Sequence, residues 1–258
     1  MEMTGNTILI TGGTSGIGRA LAEQFHRRGN QVIIAGRRQQ LLDEITQAHP
    51  TMRGIRLDVE DGEALQTFAA DVAAEFPDLN VLVNNAGISR MEDLTGEAAD
   101  FSTSRNIVQT NILGTLHLTG ALLPVLHNQP GATIITTSSG LAFVPRYNFP
   151  TYCATKAFLH SWTQSLRVQL RETEIEVLEL VPPYVQTELA GTEQACDPNA
   201  MPLDAYISEV MARLQDRDHP DGEILVERVK QLRWAERKGV YDQVYAMLNG
   251  RQDRTQSA

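Results

Sequence analysis

Short apolar runs alternate with longer amphipathic stretches from residue 6 to residue 181. The runs "NTILIT", "QVIIAG", "RGIRLDV", "LNVLVNNAG", "ATIITTSS" and "EVLELVPP" are rich in Val, Ile and Leu. Nearly continuous apolar runs are the pattern of parallel strands covered on both faces, where half-exposed strands would alternate. Between them, helical spacing predicts helices over residues 16–28, about 41–48, within 61–75, about 104–127 and 152–171. The alternation predicts βαβ units and so an α/β fold, a doubly wound three-layer α/β/α sandwich with a central parallel sheet of about seven strands.

After Pro183 the rhythm changes. Residues 184–202 are rich in Thr, Glu, Gly, Asn and Pro; "LDAYISEVMARLQ" then has helical spacing, and "GEILV" reads as the last strand. This insertion, around 184–220, follows a strand's carboxyl end, the edge at which such sheets bind ligands. It is expected to cover that edge as a substrate lid, with a surface excursion as the alternative. The polar "GRQDRTQSA" at the end is expected to fray. A chain of 258 residues is long enough for one large domain, and a single dinucleotide-binding domain over residues 1–258 is the expectation once the motifs below are added.

Composition narrows the function by exclusion. The chain is 42% hydrophobic and 21% charged, as in an ordinary soluble globular protein. A net charge of −10 argues against a nucleic-acid partner, whose phosphates need clustered Lys and Arg. Cys153 and Cys196 form no disulfide or zinc pattern. His26, His49, His117, His127, His160 and His219 lack metal-ligand spacing, so no metal is expected. No run approaches the ~18 apolar residues of a spanning helix, and no signal-peptide pattern is seen; the expectation is a cytoplasmic protein with no membrane partner.

"ILITGGTSGIGRA" places Thr11, Gly12, Gly16 and Gly18 between a strand and a helix. Glycines there permit a tight turn and close backbone approach, so main-chain N–H groups and the helix N-terminus can face a pyrophosphate, as in Rossmann-type dinucleotide sites. The spacing differs from the common GxGxxG. Where such folds read the adenosine ribose, after the second strand, the chain has Gly36 in place of an acid, then Arg37 and Arg38. A guanidinium can hold a 2′-phosphate that a carboxylate would repel. NADP(H) is therefore favoured over NAD(H), with Arg37 as the first contact and Arg38 as a second; two solvated arginines in a turn are the alternative. Asp58, after the third strand, can accept from an adenine amino group, and Asn84 to Gly87 form a small-residue turn after the fourth.

"TYCATKAF" sets Tyr152 and Lys156 one helical turn apart, a spacing as compatible with an interfacial tyrosine and a solvated lysine as with a catalytic pair. Ser139 lies thirteen residues before Tyr152, at the end of the fifth strand, where its hydroxyl enters the same crevice. An unperturbed tyrosine has a pKa of about 10, so bringing it near neutrality takes roughly 4 kcal/mol. An ammonium beside it, in a partly dry pocket near a cationic nicotinamide, can supply that amount.

Through "TGGTSGIG", "NNAG", Asn111, the Ser139 spacing, "YCATK" and "PPYVQT" together, the chain resembles the classical short-chain dehydrogenase/reductases over about residues 6–190. The resemblance implies Tyr152 as general acid/base, Lys156 as pKa modulator and ribose ligand, and Ser139 as the donor that orients the substrate oxygen. It implies Asn111 as a helix-kinking residue that holds a relay water; without it, Asn111 reads as a satisfied structural amide. For the cofactor it implies Thr11, Gly12, Thr14, Ser15, Gly16, Ile17 and Gly18 in the first loop, then Arg37 and Arg38, Asp58 and Val59. Asn85, Ala86 and Gly87 follow, with Tyr152, Lys156, Pro182, Val185 and Thr187 on the far side. The family usually has Pro-Gly after the sixth strand. Pro182-Pro183 here removes any contact that needs a flexible glycine, while Val185 N–H and the Thr187 hydroxyl are still expected to reach the nicotinamide carboxamide. The double proline and "EILVERVKQLRWAE" are similar to the DltE-like oxidoreductases within that family.

The expected activity is NADP(H)-dependent interconversion of a carbonyl and an alcohol on a small-molecule substrate, by hydride transfer. The alternatives are a non-catalytic dinucleotide-binding sensor or scaffold, and an epimerase or dehydratase with no net cofactor turnover. Arg146, Tyr147, Asn148 and Phe149 are candidate substrate-pocket residues, Cys153 a packing residue, and Trp162 core or interface. By family analogy the chain is expected to form a homo-oligomer, dimer or tetramer, through the helices of residues 104–127 and 152–171.

Overall fold

The computed structural model describes residues 1–95 and 101–250. The end of the tail expected to fray, residues 251–258, lies outside the described residues. Seven parallel strands form one sheet in the order β3-β2-β1-β4-β5-β6-β7. They are β1 (Thr7–Thr11), β2 (Gln31–Gly36), β3 (Arg53–Arg56), β4 (Leu79–Asn84), β5 (Thr133–Thr137), β6 (Glu176–Val181) and β7 (Glu223–Leu225). The Rossmann-type sandwich expected from the sequence is the fold formed. Strand order reverses between β1 and β4, which opens a crevice above their carboxyl ends.

The continuous apolar runs follow from burial on both sides. Ile8, Leu9 and Ile10 are all 0% exposed, but Ile8 and Ile10 pack into one core layer and Leu9 into the other, as period-2 side chains must. One layer is covered by α1 (Gly16–Arg27) and α2 (Gln39–Ala48), the opposite layer by α3 (Gly62–Glu75) and by a long helix over residues 102–127. That helix is not uniform. It runs as α4 (Ser102–Val108), a π-helical segment Gln109–Gly114, and α5 (Thr115–His127). A π turn in mid-helix marks a place where a residue is held out of the regular spiral by an outside partner. Here that residue is Asn111, whose side chain is bonded to the chain after β4.

α6 (Pro150–Gln169) starts with proline at its first turn, where a missing N–H costs nothing, and carries Tyr152 and Lys156 inward. The expected lid of residues 184–220 has two unlike halves. Its second half is α8 (Leu203–Gln215), whose Tyr206, Ile207, Val210, Met211 and Leu214 are buried in the core layer that α1 also covers. Five large apolar side chains on one helical face make this a layer helix, not part of a lid. The first half, residues 184–202 with the short α7 (Thr192–Cys196), stands beside the crevice. After β7 come α9 (Lys230–Arg233) and α10 (Tyr241–Asn249), and α10 packs Val244 against Val144 of the loop before α6. No helix among the described residues is long and apolar enough to cross a membrane.

Candidate active site

The first wall of the crevice is built by close backbone packing. Thr11 Oγ1, at the end of β1, accepts from the N–H groups of Asn85 and Ala86, each at 3.0 Å. Asn85 Nδ2 donates back to Thr11 O at 3.1 Å. A Cβ at Gly12 (φ +66°) would lie 3.0 Å from Ala86 Cα, and one at Gly18 would lie 2.4 Å from Asn85 Nδ2 and 2.5 Å from Gly12 O. Only glycine fits at these two positions. Ser15, the N-cap of α1, makes no side-chain cap bond, so no side chain occupies the first-turn N–H groups that such a site offers to a phosphate. Ile17, in that first turn, is half-buried against the core.

Ser15 Oγ instead accepts from Arg38 Nη2 at 2.7 Å, and Thr14 Oγ1 accepts from the same nitrogen at 3.1 Å. Arg37 turns the other way, to Glu60 Oε1 at 3.3 Å, with the Arg37 side chain exposed and Glu60 half-buried. Arg38, expected as the second contact, closes the corner between β2 and the glycine loop, while Arg37, expected as the first, points outward to Glu60. The reason is local, since Arg38 is the N-cap of α2 and its side chain leaves on the loop side. A Cβ at Gly36 would lie 2.9 Å from Thr14 Cγ2, so an acidic side chain there would have to displace Thr14. Asp58 Oδ1 accepts from Glu60 N–H at 3.1 Å while the side chain stays exposed at the rim. Val59 is buried under the π segment, where a Cβ at Gly114 would lie 2.7 Å from Val59 O.

The opposite wall brings Ser139, Tyr152, Lys156 and Asn111 together. Tyr152 is 7% exposed and lies beside Ser139, close enough for that hydroxyl to favour the phenolate, and Ser139 Oγ accepts from Leu141 N–H at 3.1 Å. Lys156 Nζ donates to Thr137 O at 2.8 Å and lies 5.7 Å from the centre of the Tyr152 ring. A Cβ at Gly87 would sit 3.3 Å from Asn111 Oδ1 and 3.7 Å from Lys156 Nζ, so the turn after β4 lies directly against both. Asn111 is fully buried; its Oδ1 accepts from Ile88 N–H at 2.8 Å, and its Nδ2 donates to Ile88 O at 3.0 Å and Thr155 Oγ1 at 3.1 Å. Its amide is therefore spent on holding the β4 turn against α6.

Burial dominates the titration of the pair in the protein alone. It pushes the Tyr152 phenol up to about 12, against the opposing pull of the Ser139 hydroxyl. It lowers the Lys156 ammonium to about 8, with the Glu179 carboxylate pulling the other way. The direction at Tyr152 is opposite to the descent toward neutrality expected from its lysine neighbour, because desolvation of a phenolate outweighs a cation that is itself bonded elsewhere. The phenol is held in its proton-bearing form.

Pro182 O accepts from Gly140 N–H at 2.9 Å, extending the β5–β6 pairing past both strands without needing a proline N–H. Tyr184 O and Gln186 N are engaged by Met201 in a short bridge that leaves the Val185 N–H outside it. Thr187 Oγ1 accepts from Gln194 Nε2 at 3.1 Å, and Thr187 Cγ2 would lie 3.4 Å from a Cβ at Gly16, so this segment faces the glycine loop across the crevice. The residues present fit a nicotinamide dinucleotide: a side-chain-free cradle, an arginine at its β2 corner, and a tyrosine–lysine pair at the far end.

A family model described as short chain dehydrogenase matches residues 6–197. The chain belongs to the short-chain dehydrogenase family. It is 38% identical over 252 residues to the "Uncharacterized oxidoreductase DltE" of Bacillus subtilis, covering 96% of this chain and 98% of that protein. It is 34% identical over 197 residues to a serine 3-dehydrogenase of Rhizobium radiobacter, covering 74% and 78%. Among solved structures, the closed form of serine dehydrogenase complexed with NADP+ superposes with a TM-score of 0.72 at 27% identity, covering 80% of this chain and 87% of that one.

Several side chains that hold this short-chain dehydrogenase's site together carry no motif. Glu92 accepts from Thr151 N–H at 3.0 Å, Thr151 Oγ1 at 2.8 Å and Ser104 Oγ at 2.5 Å, so a carboxylate from a distant loop caps the first turn of α6. Asn249 donates to Pro145 O at 3.0 Å and accepts from Tyr147 N–H at 2.7 Å, clamping the candidate substrate loop from the end of α10. His160 was expected to be unremarkable; it bonds Glu179 inside the core. The one local signal was Glu179 itself, an acid in the middle of the apolar run "EVLELV".

Proposed function

We propose that this protein is an NADP(H)-dependent oxidoreductase that interconverts a carbonyl and an alcohol, with Tyr152 as general acid/base. The observation that carries the reading is the buried Tyr152 next to Ser139, with Lys156 beside it, opposite a glycine cradle that admits no side chain. The bound nicotinamide would supply or accept the hydride. The chain's own part is proton handling: Ser139 holds the substrate oxygen, and Tyr152, kept protonated by burial, delivers its proton to that oxygen as it gains charge. In the alcohol-oxidising direction the same hydroxyl takes the proton back. Lys156 provides fixed positive charge beside the phenolate, and Asn111 braces the wall on which both depend.

The glycine loop, Asp58, Asn85, Ala86, Gly87, Val185 and Thr187 would hold the dinucleotide. The preference for NADP(H) is supported by Arg38 at the Thr14–Ser15 corner, by the lack of room for an acid at Gly36, and by the NADP+ bound to a related serine dehydrogenase. Among the described residues Arg146 Nε is buried without a hydrogen-bond partner, which makes it a donor for a polar group on the substrate. Relatives named for serine make small hydroxy acids the first class to try. Residues 184–202 would close over the substrate. A homo-oligomer would cover Val108, Leu113, Phe158 and Val168, which stand exposed on the helices of residues 102–127 and α6.

The test is an NADPH-oxidation screen over ketoacids, aldehydes, ketones and quinones, run in parallel with NADP+ and hydroxy acids. Turnover with one class is expected, together with its loss in Tyr152→Phe while NADPH still binds. Turnover that survives Tyr152→Phe would overturn the assignment.

A further inference from the structure

Glu179, on β6, is 0% exposed, and a carboxylate taken fully out of water has to be paired and hydrogen-bonded to persist. Its two oxygens each have a donor. Oε1 accepts from Ser138 Oγ, and Oε2 accepts from His160 Nδ1 at 2.7 Å. Glu179 pairs with Thr136 across the sheet, so Ser138, two residues on, projects from the same face of β5. Gln164 Nε2 lies 3.2 Å from His160 Nε2. His160 is thus held between Glu179 and Gln164 and gives Glu179 a hydrogen bond.

Two further basic side chains stand near this group, Arg233 and Lys156. Glu223, whose carboxylate lies within 4.8 Å of this group, is already held by Arg233 through two bonds of 2.6 and 2.7 Å. Arg233 also stacks on Phe143 at 4.6 Å and on Trp234 at 4.1 Å, so it is fixed where it stands. By composition His160, Glu179 and Glu223 would suit a metal ion, but their oxygens are already taken by donors. Lys156 remains, one turn before His160 on α6, with its Nζ bonded to Thr137 O, next along the chain to the Ser138 that bonds Glu179. Three successive residues at and just past the end of β5 then divide the work: Thr137 O accepts from Lys156, Ser138 holds Glu179, and Ser139 meets Tyr152.

We propose that Glu179 is a positioning residue of the site, a buried counter-charge that keeps Lys156 an ammonium and, through Ser138, fixes the strand end that carries Ser139. The inference rests on the reading of Lys156 and Ser139 as site residues. Its core, the coupling of Glu179 to Lys156, can be measured without any substrate. Among the described residues, the titratable groups facing Lys156 are Tyr152 and His160 on its own helix and Glu179 across from it, with the Glu223–Arg233 pair behind.

The chain has three lysines, Lys156, Lys230 and Lys238, so side-chain carbon-13 labelling of lysine gives three resolvable titrations by NMR on the full-length protein. Glu179→Gln is expected to move the Lys156 midpoint down by about one pH unit or more, a roughly tenfold loss of charged lysine at a fixed pH. Lys238, exposed to solvent, should titrate as in the wild type and serve as the reference, while an unchanged near-UV circular dichroism spectrum reports that the fold is intact. Glu179→Leu removes the same charge without setting an amide against Ser138 and His160, and should give the same shift if the Gln variant folds poorly. An unchanged Lys156 midpoint in either folded variant would overturn the proposal. Absence of turnover on every carbonyl tried would sink the oxidoreductase reading and leave this titration standing.

Discussion

On the wall of the crevice formed by β1, β2 and β4, one methyl group added at Gly18 would lie 2.4 Å from Asn85 Nδ2; on the wall formed by β5, β6 and the segments after them, the corresponding space is filled by reaching side chains. Glu92 caps α6, Gln194 holds Val185 O at 2.8 Å, Asn249 clamps the 145–147 backbone, and Glu179 lies behind Ser138. The first wall is fixed by backbone contact and tolerates no added atom. The second is fixed largely by single side chains that reach across to backbone or to another side chain, and those on the loops and helices can be exchanged without touching the sheet. A fold built this way keeps one cofactor while its substrate end is free to change, and mutation should affect the two walls differently.

The largest effect belongs to chemistry. Tyr152→Phe should lower kcat about 10³-fold, the range for removing a general acid, with the NADPH dissociation constant within a factor of a few of wild type. Gly18→Ala should do the reverse. The added Cβ has to push Asn85 off Thr11, so we expect about 3 kcal/mol lost in denaturant unfolding and weakened NADPH binding at any substrate concentration. If Gly18→Ala kept full stability and NADPH affinity, the account of the first wall as a contact-limited cradle would fail.

The second wall stores its cost in a buried charge. Burial holds the Lys156 ammonium at about 8 in the fold, against the ordinary lysine value of 10.5 when unfolded. A lowered lysine pKa penalises the folded state wherever both forms are protonated, so the full penalty stands below pH 8 and disappears as pH rises to about 10.5. Lys156→Met removes the charge at similar length. Made together with Glu179→Leu, so that no buried carboxylate loses its counter-charge, it should stabilise the protein at pH 7 by about 2 kcal/mol relative to Glu179→Leu alone, after allowing about 1 kcal/mol for the lost bond to Thr137 O. The gain should vanish when the same unfolding is measured near pH 10.5, and a pH-independent gain would mean packing, not charge, is responsible.

Arg37 and Arg38 show why one wall was more legible in the sequence than the other. The glycine loop could be read because its constraints are local: a turn between a strand and a helix, with neighbours a few residues away. The basic pair after β2 could be located, but its order could not, since that depends on the direction in which the α2 N-cap projects. The kink at Asn111 is legible only through the family resemblance, because the partners that hold it, Ile88 and Thr155, are 23 and 44 residues distant. The Glu92 cap escaped because its partner Thr151 is 59 residues away, and no periodicity encodes such a pairing. Arg38→Ala is expected to raise the KM for NADPH about tenfold with little change for NADH, and Arg37→Ala to do less, since its exposed contact with Glu60 is worth ~1 kcal/mol at most. Equal effects of the two variants would return Arg37 to first place.

The mildest change tests the outermost pair of the second wall. Asn249 is 104 residues from Pro145 and 102 from Tyr147, and its two bonds fix the part of the loop that also carries the unpartnered Arg146 Nε. Asn249→Ala removes both bonds at a partly exposed site, so global stability should fall by only about 1 kcal/mol. The loop leads from Ser139 to Tyr152, but both of those are held independently, by β5 and by the Glu92-capped helix. The variant should therefore raise KM for the substrate several-fold while leaving the NADPH dissociation constant, and kcat at saturating substrate, near wild type. A drop in kcat with unchanged KM would mean that α10 supports the chemical end of the crevice and not its mouth.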